Sequence, residues 1–273
     1  MKSKKWLLAV ICGAFVAALA LAGCSSSSES SSASNESSSS NGSYTLVKDG
    51  TLTVGTSPDY PPFESLEKGE YVRFDMELAK DVAKKLGLKF EPTTIQFDGI
   101  IPAVAAGGQC DVGVSGFSVD PERAKQIDFT DSYYTDDQAV VAMKNGKLTK
   151  KNVDKQLNKS GMVIAAQSGS TGEDYAKENY PKAKVSSYGN ATDCFAAMQA
   201  GKADAVCINN AVAAKMVKSS YKDAQVIKAD ATGEEYAMVV SKDNPELTKA
   251  LNGAIQELKD DGTIDKLVQK YFG

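Results

Sequence analysis

The residues able to make or break covalent bonds are few in this chain. It has no histidine, and its five cysteines stand at positions 12, 24, 110, 194 and 207 with no CxxC pair among them. Zinc sites draw on thiolates and imidazoles, and hydroxyl or thiol nucleophiles need a neighbouring base, most often imidazole. Both chemistries are excluded in their usual forms, and no metal or cofactor is expected. The absence of histidine argues most strongly against hydrolysis. Hydroxyls, amides, carboxylates and cations remain, which are the groups of recognition.

The ends say where that recognition takes place. Met1 to Lys5 carries three lysines, and the apolar run Trp6 to Ala20 after it is too short for a comfortable membrane span. The run ends in Leu21-Ala22-Gly23-Cys24, which resembles the lipobox of bacterial lipoproteins. Residues 1–23 are therefore expected to be a leader, with Cys24 as the lipidation site. An ordinary secretory leader with a chance cysteine is the blander reading. Residues 24–43 are expected to be a flexible tether. Twelve of the sixteen residues from Ser25 to Ser40 are serine, too little apolar surface to offset the ordering entropy. The protein is expected outside the cytoplasm, held to the membrane by more than one acyl chain on Cys24, since one chain anchors weakly.

The folded part starts near Tyr44 and holds about 230 residues, one large domain or two small ones. The chain has 31 basic and 35 acidic residues, a net charge of −4, and removing the three leader lysines leaves 28 against 35, about −7. With no basic block left, nucleic acid is excluded as a partner. Cys110, Cys194 and Cys207 are an odd number in an exported protein. Cys194 begins a helix and Cys207 ends the strand that returns beside it. A disulfide between them is one reading, and two buried thiols acting as small apolar residues is the preferred one.

Short apolar strands alternate with amphipathic helices, which implies an α/β sheet of mostly parallel strands. The spacing predicts a helix over Asp75–Leu86, capped by Asp75 and stopped by Gly87. A second helix over Ile100–Ala106 leads to a buried strand at Asp111–Val114. After Gly146 the pattern restarts with a strand at Met162–Ala165, a helix at Thr171–Asn179 and a strand at Ala203–Ile208. Ile101 to Val114 can be laid on Cys194 to Cys207 without a gap, with Gly108 on Gly201 and Asp111 on Asp204. Turn chemistry alone favours glycine then a polar residue there, but two similar halves suggest two lobes, and ligands favour the crevice between lobes.

Four segments carry a resemblance. They are Val54-Gly55-Thr56-Ser57-Pro58-Asp59-Tyr60-Pro61-Pro62-Phe63-Glu64, Phe74-Asp75-Met76-Glu77-Leu78-Ala79, Phe97-Asp98-Gly99-Ile100-Ile101-Pro102, and Ser115 through Arg123 to Ala124. In this order and spacing the chain resembles the polar amino-acid binding proteins of ABC importers, family 3 of the extracellular solute-binding proteins, with the periplasmic-binding-protein type II fold. The resemblance covers nearly all of Leu52 to Gly273. It implies a monomeric clam-shell α/β fold. Lobe 1 would be residues 44–138 and 240–273, with hinge strands and lobe 2 in residues 139–239 and a ligand cleft between the lobes. The partners implied are an amino acid and the importer's permease.

By the same resemblance Arg123 would grip a ligand carboxylate in bidentate fashion. Backbone N–H groups at Ser118, in the Gly116–Phe117 turn, and at Thr171, where Gly169-Ser170-Thr171-Gly172 opens a helix, would assist. The ligand side chain would lie between Tyr60 and Phe97, with Ser115 a hydroxyl partner for the ammonium and Gln138 a polar contact near the hinge. Ser57 falls where binders of cationic amino acids often carry an acid, which argues mildly for a non-basic ligand. Two positions depart from the family's pattern. Asn209 stands where an aspartate usually holds the α-ammonium, so either another group compensates or the ligand lacks a full ammonium. Arg73 stands where glycine is common, and is expected to be solvent-exposed or to reach the cleft mouth.

Three other readings stay open. One is a binder of a small carboxylate without a free ammonium. Another is a dehydratase-like enzyme on the same fold, with Asp59 or Glu173 as the acid. The third is a sensory module that presents its ligand to a receptor.

Overall fold

The computed structural model describes residues 44–273. The expected leader, tether and lipid site Cys24 lie outside the described residues. Strand β1 (Thr51–Thr56) is buried along its whole length, as a strand covered by helices on both faces must be. A three-stranded meander follows, β2 (Asp59–Tyr60), β3 (Glu64–Glu67) and β4 (Glu70–Val72). It feeds helix α1 (Phe74–Lys85), strand β5 (Lys89–Thr94), helix α2 (Phe97–Ala106) and the short strands β6 (Val112–Gly113) and β7 (Asp128–Phe129).

Strand β8 (Tyr134–Met143) starts the second lobe. Helix α3 (Val153–Leu157) precedes β9 (Val163–Gln167), α4 (Thr171–Asn179), β10 (Lys184–Tyr188) and α5 (Ala191–Gln199). Then come β11 (Ala205–Asn209), α6 (Asn210–Ser219) and the long β12 (Ala224–Tyr236). Strand β13 (Val239–Val240) returns to the first sheet, and α7 (Pro245–Asp260) and α8 (Thr263–Phe272) pack on α1. The first sheet runs β5-β1-β6-β13-β7 and the second β10-β9-β11-β8-β12, each with parallel and antiparallel pairs. The expected two-lobed α/β architecture is what the chain adopts, but its sheets are mixed rather than mostly parallel: each holds two parallel and two antiparallel pairs, because the strands that cross between the lobes enter each sheet antiparallel.

The internal repeat is structural. Gly108 and Gly201 both take positive φ, at +85° and +71°. Asp111 N–H donates to the Thr53 carbonyl at 2.9 Å while its carboxylate accepts from Thr53 N–H at 2.8 Å. Asp204 exchanges the same pair of bonds with Val163, both at 2.8 Å. In each lobe this aspartate clips the returning central strand to its parallel neighbour, β6 to β1 and β11 to β9.

Two local expectations are revised and one is met. Asp75 does not cap α1. Arg73 occupies the cap position at φ +92° with no side-chain cap, and Asp75 is buried inside the first turn. Its carboxylate accepts from the Gly116 amide at 2.7 Å and the Tyr133 hydroxyl at 3.1 Å. Arg73 neither hangs free nor reaches the cleft. It donates to Ser65 Oγ at 2.8 Å and pairs with Glu67 on β3. Cys110, Cys194 and Cys207 are free thiols, all buried, as preferred. Successive side chains of β11 point to opposite faces, so Cys207 packs with Tyr175, Tyr180 and Ile227 while Cys194 packs in the other core. That separation is why no disulfide joins them.

Candidate functional site

The segment before Arg123 is an aspartate-led turn. Asp120 Oδ1 accepts from the backbone N–H of both Glu122 and Arg123 at 2.9 Å, which starts the 3₁₀ turn Arg123–Lys125 and turns the arginine inward. Glu122 pairs with Lys125, so the surface ion pair that would make Arg123 ordinary is not formed. Arg123 is instead 9% exposed. Its guanidinium lies 5.5 Å from the Phe97 ring centroid and 5.6 Å from that of Phe117. Those rings stack on each other at 4.7 Å and 19°. One Nη donates to the Ser118 carbonyl at 2.8 Å and the other to the Gly169 carbonyl at 3.0 Å, across the cleft. Among the described residues no carboxylate forms a salt bridge with it. Burial lowers its pKa, opposed by the field of Asp120 and then Glu234.

Facing it is the start of α4. Ser170 caps the helix by accepting from the Glu173 amide at 3.1 Å, and Gly169 takes φ +71°. A Cβ at Gly172 would stand 2.8 Å from the Cys207 carbonyl oxygen. Its smallness therefore serves the packing of α4 on β11, and through that the placing of Ser170 and Thr171. Burial alone would raise the Glu173 carboxyl, but bonds from Lys177, Ser187 and the Gly169 amide hold it below its ordinary value.

Four of the expected ligand contacts converge on a residue the sequence did not single out. Glu234, on β12, accepts from Ser118 Oγ at 2.5 Å, Thr171 Oγ1 at 2.8 Å and Asn209 Nδ2 at 3.1 Å through one oxygen. Its other oxygen accepts from Gln138 Nε2 at 2.7 Å and Thr232 Oγ1 at 3.3 Å. Gln138 and Asn209 are register partners on β8 and β11, which brings both amides to the same edge of the cleft. The one signal in the sequence was indirect: the charge missing at Asn209 called for an acid elsewhere.

The other expected residues are spread over the lobe-1 wall. Tyr60 donates to Asn209 Oδ1 at 2.7 Å, bridging the lobes. Tyr60 and Phe97 belong to separate clusters, Tyr60 beside Phe63 and Phe97 against Phe117. Ser57 Oγ donates to Asp59 at 3.0 Å, and Asp59 accepts from the Thr192 amide at the start of α5 in lobe 2, at 3.3 Å. Burial raises the Asp59 pKa, yet both its oxygens are engaged. The Ser115 hydroxyl is turned into the lobe, accepting from Ser57 N–H at 3.1 Å and donating to Glu64 at 2.8 Å.

Beneath this loop lies a second unforeseen feature. Glu64 and Asp75 are both fully buried, and neither Glu64 Oε2 nor Asp75 Oδ1 has a hydrogen-bond partner among the described residues. Burial pushes Asp75 up to about 6. Burial and the neighbouring Asp75 raise Glu64 well above the carboxylate range. Neighbouring buried carboxyls disfavour each other's charge, and the two fix Ser115 and the Gly116 amide, which donate to Glu64 and Asp75. Gly116, at φ +56°, leaves room for the Tyr60 and Tyr236 rings.

The two-lobed fold agrees with the comparisons. Residues 52–273 match the bacterial extracellular solute-binding proteins, family 3. The chain belongs to that family. It is 32% identical over 272 residues, 98% of each chain, to the arginine-binding extracellular protein ArtP of Bacillus subtilis (strain 168). Of solved structures, an ancestral arginine-binding protein bound to glutamine is similar at 38% identity and TM-score 0.76. That likeness covers 83% of this chain and 99% of that one. The ancestral amino acid-binding protein AncCDT-1, described as a precursor of cyclohexadienyl dehydratase, is similar at 39% and TM-score 0.74, over 82% of this chain and 96% of that one.

This member of family 3 is thus an extracellular solute-binding protein, not an enzyme. Its geometry is consistent with that: the two acids that a dehydratase reading would use, Asp59 and Glu173, are both held in structural hydrogen bonds.

Proposed function

We propose that the protein captures an L-α-amino acid in the cleft between its lobes and delivers it to an ABC importer. The observation that carries this is Arg123: a buried guanidinium, stacked on two rings and hydrogen-bonded to both lobes, with no salt bridge to a carboxylate among the described residues. A buried cation is costly unless paired, and a ligand carboxylate supplies the partner. The flanking amides of Ser118 and Thr171 assist, the latter at the positive end of α4. Ligand touching both lobes favours the closed form, with the crossings between β7 and β8 and between β12 and β13 as hinge. Cys24 carries the lipid that keeps the protein at the membrane.

The neutral hydroxyl of Ser57 and the engagement of Asp59 favour an uncharged polar side chain. One observation favours a cationic one. Asp120, Asp174, Glu178 and Glu234 all line the chamber at the cleft's outer edge, and relatives are named for arginine and for lysine, arginine and ornithine.

A thermal-shift screen of the purified protein against the twenty amino acids, with matched α-hydroxy and deamino acids, tests both. A bound ligand stabilises by about 2.7 kcal/mol at a hundredfold excess over its Kd. The reading stands if one or a few L-amino acids raise Tm and Arg123→Ala abolishes the rise. It fails if none does. A shift with arginine or lysine and none with glutamine decides for the cationic side chain.

A further inference from the structure

We infer that Glu234 is the residue that pairs with the ligand's ammonium and sets the requirement for an amine, taking over the charge that Asn209 lacks; this rests on the amino-acid reading above.

The argument starts from an imbalance. The Glu234 carboxylate accepts five hydrogen bonds, every one from a neutral donor: Ser118, Thr171, Asn209, Gln138 and Thr232. Among the described residues no cation forms a salt bridge with it. The opposite imbalance exists at Arg123. A cleft with one unneutralised cation and one unneutralised anion, both beside Ser118, is complementary to a zwitterion. Each charge alone would suit only half of one.

Gln138 adds an independent sign. It is 1% exposed, and its Nε2 faces an acceptor-only carboxylate, which fixes the amide's orientation. Its Oε1 is then left buried without a donor. An ammonium has three donors and no acceptor, which matches an open carbonyl oxygen beside a carboxylate. A carboxylic acid lacking the amine would leave both unserved. An unserved buried acceptor is what lets a polar site reject an analogue missing one group.

Position matters as well as charge. Glu234 lies on β12, two residues before Tyr236, whose carbonyl accepts from Tyr133 N–H at 2.8 Å where the chain passes between the lobes. It accepts from Ser118 of lobe 1 and from Thr171, Gln138 and Asn209 of lobe 2. An ammonium drawn to it comes to a carboxylate already hydrogen-bonded to both lobes, whereas an acid at the end of β11 would stand on a lobe-2 strand.

The test measures Kd by calorimetry for wild type, Glu234→Gln, Asn209→Asp and the double variant. The probes are the L-amino acid that shifts wild type most and its α-hydroxy counterpart. A charged hydrogen bond replaced by a neutral one predicts about 2- to 30-fold weaker amino-acid binding by Glu234→Gln. The α-hydroxy acid should bind that variant at least as well as wild type, a split that mere damage to the cleft would not produce. Asn209→Asp added to Glu234→Gln should recover most of the affinity. Wild-type amino-acid affinity in Glu234→Gln overturns the inference and leaves the Arg123 reading intact. So does a wild type that binds only amine-free acids. No binding by any amino acid or carboxylate overturns both.

Discussion

The Tyr60 hydroxyl, on lobe 1, donates a 2.7 Å hydrogen bond to Asn209 Oδ1, on lobe 2. An aspartate at 209 would accept the same bond with its charge; the amide accepts it as a neutral group and turns its Nδ2 to Glu234. One substitution thus divides a role between two residues. The Tyr60–Asn209 bond exists only when the lobes meet, so it contributes to closure. Tyr60→Phe keeps the ring beside Phe63, 6.2 Å away between centroids, and removes only the donor. A neutral hydrogen bond contributes about 1 kcal/mol, so calorimetry should show roughly fivefold weaker ligand binding. An unchanged Kd would mean the bond plays no part in closure.

Gly172→Ala tests whether the ligand loop is placed by packing behind it. The added methyl would stand 2.8 Å from the Cys207 carbonyl oxygen and 3.2 Å from Ile208 Cα, backbone atoms of a central strand that cannot swing aside. Overpacking of this kind costs about 2 kcal/mol, roughly 4–8 °C in Tm for a domain of this size. Helix α4 would also lift away from β11 and carry Ser170 and Thr171 with it, so affinity should fall together with Tm. Scanning calorimetry and a binding titration on one sample check both. Equal Tm in variant and wild type would show that the helix relaxes freely.

The Glu64–Asp75 pair makes stability depend on pH. Both carboxyls titrate above their ordinary values in the fold, Asp75 at about 6, so the folded state binds protons that the unfolded chain releases near pH 4. Stability rises with pH only where the unfolded state binds more protons. Here the folded state binds more, so the pair's contribution is full below about pH 4 and is lost as pH climbs through 6 and beyond. Asp136, pushed up to about 6 chiefly by burial, acts in the same direction. Glu64→Gln supplies a permanent amide donor to Asp75 and removes the repulsion. Its Tm should exceed that of wild type at pH 8 by a few degrees, with the gap closing by pH 5. A gap independent of pH would show that the two carboxyls do not disfavour each other's charge.

Much of this protein was legible without coordinates. The alternation of strands and helices, the Gly-then-Asp repeat and the motif around Arg123 are written in local patterns, because turns, caps and buried strands each demand particular residue types nearby in the chain. The inward course of Arg123 was foreseen from its motif. What Glu234 does was not, since it stands amid charged and small residues, Asp230 to Glu235, with no motif around it. Its function depends on Ser118, Thr171, Gln138 and Asn209, which come from 25 to 116 positions away.

The amino-acid sequence by itself determined the class of chemistry and the scaffold. A chain without histidine, with amphipathic periodicities and a motif-borne arginine, specifies a recognising α/β protein. Tertiary structure alone decided how the charges are shared. It paired Glu64 with Asp75 in the dark of lobe 1, sent Arg73 to Glu67, parted Cys194 from Cys207 across a sheet, and set Glu234 where the lobes meet. The reason is physical. Local propensity acts over a few residues of chain, whereas the energy of a charge is set by whatever burial, dipoles and counter-charges the whole fold brings within a few ångströms of it.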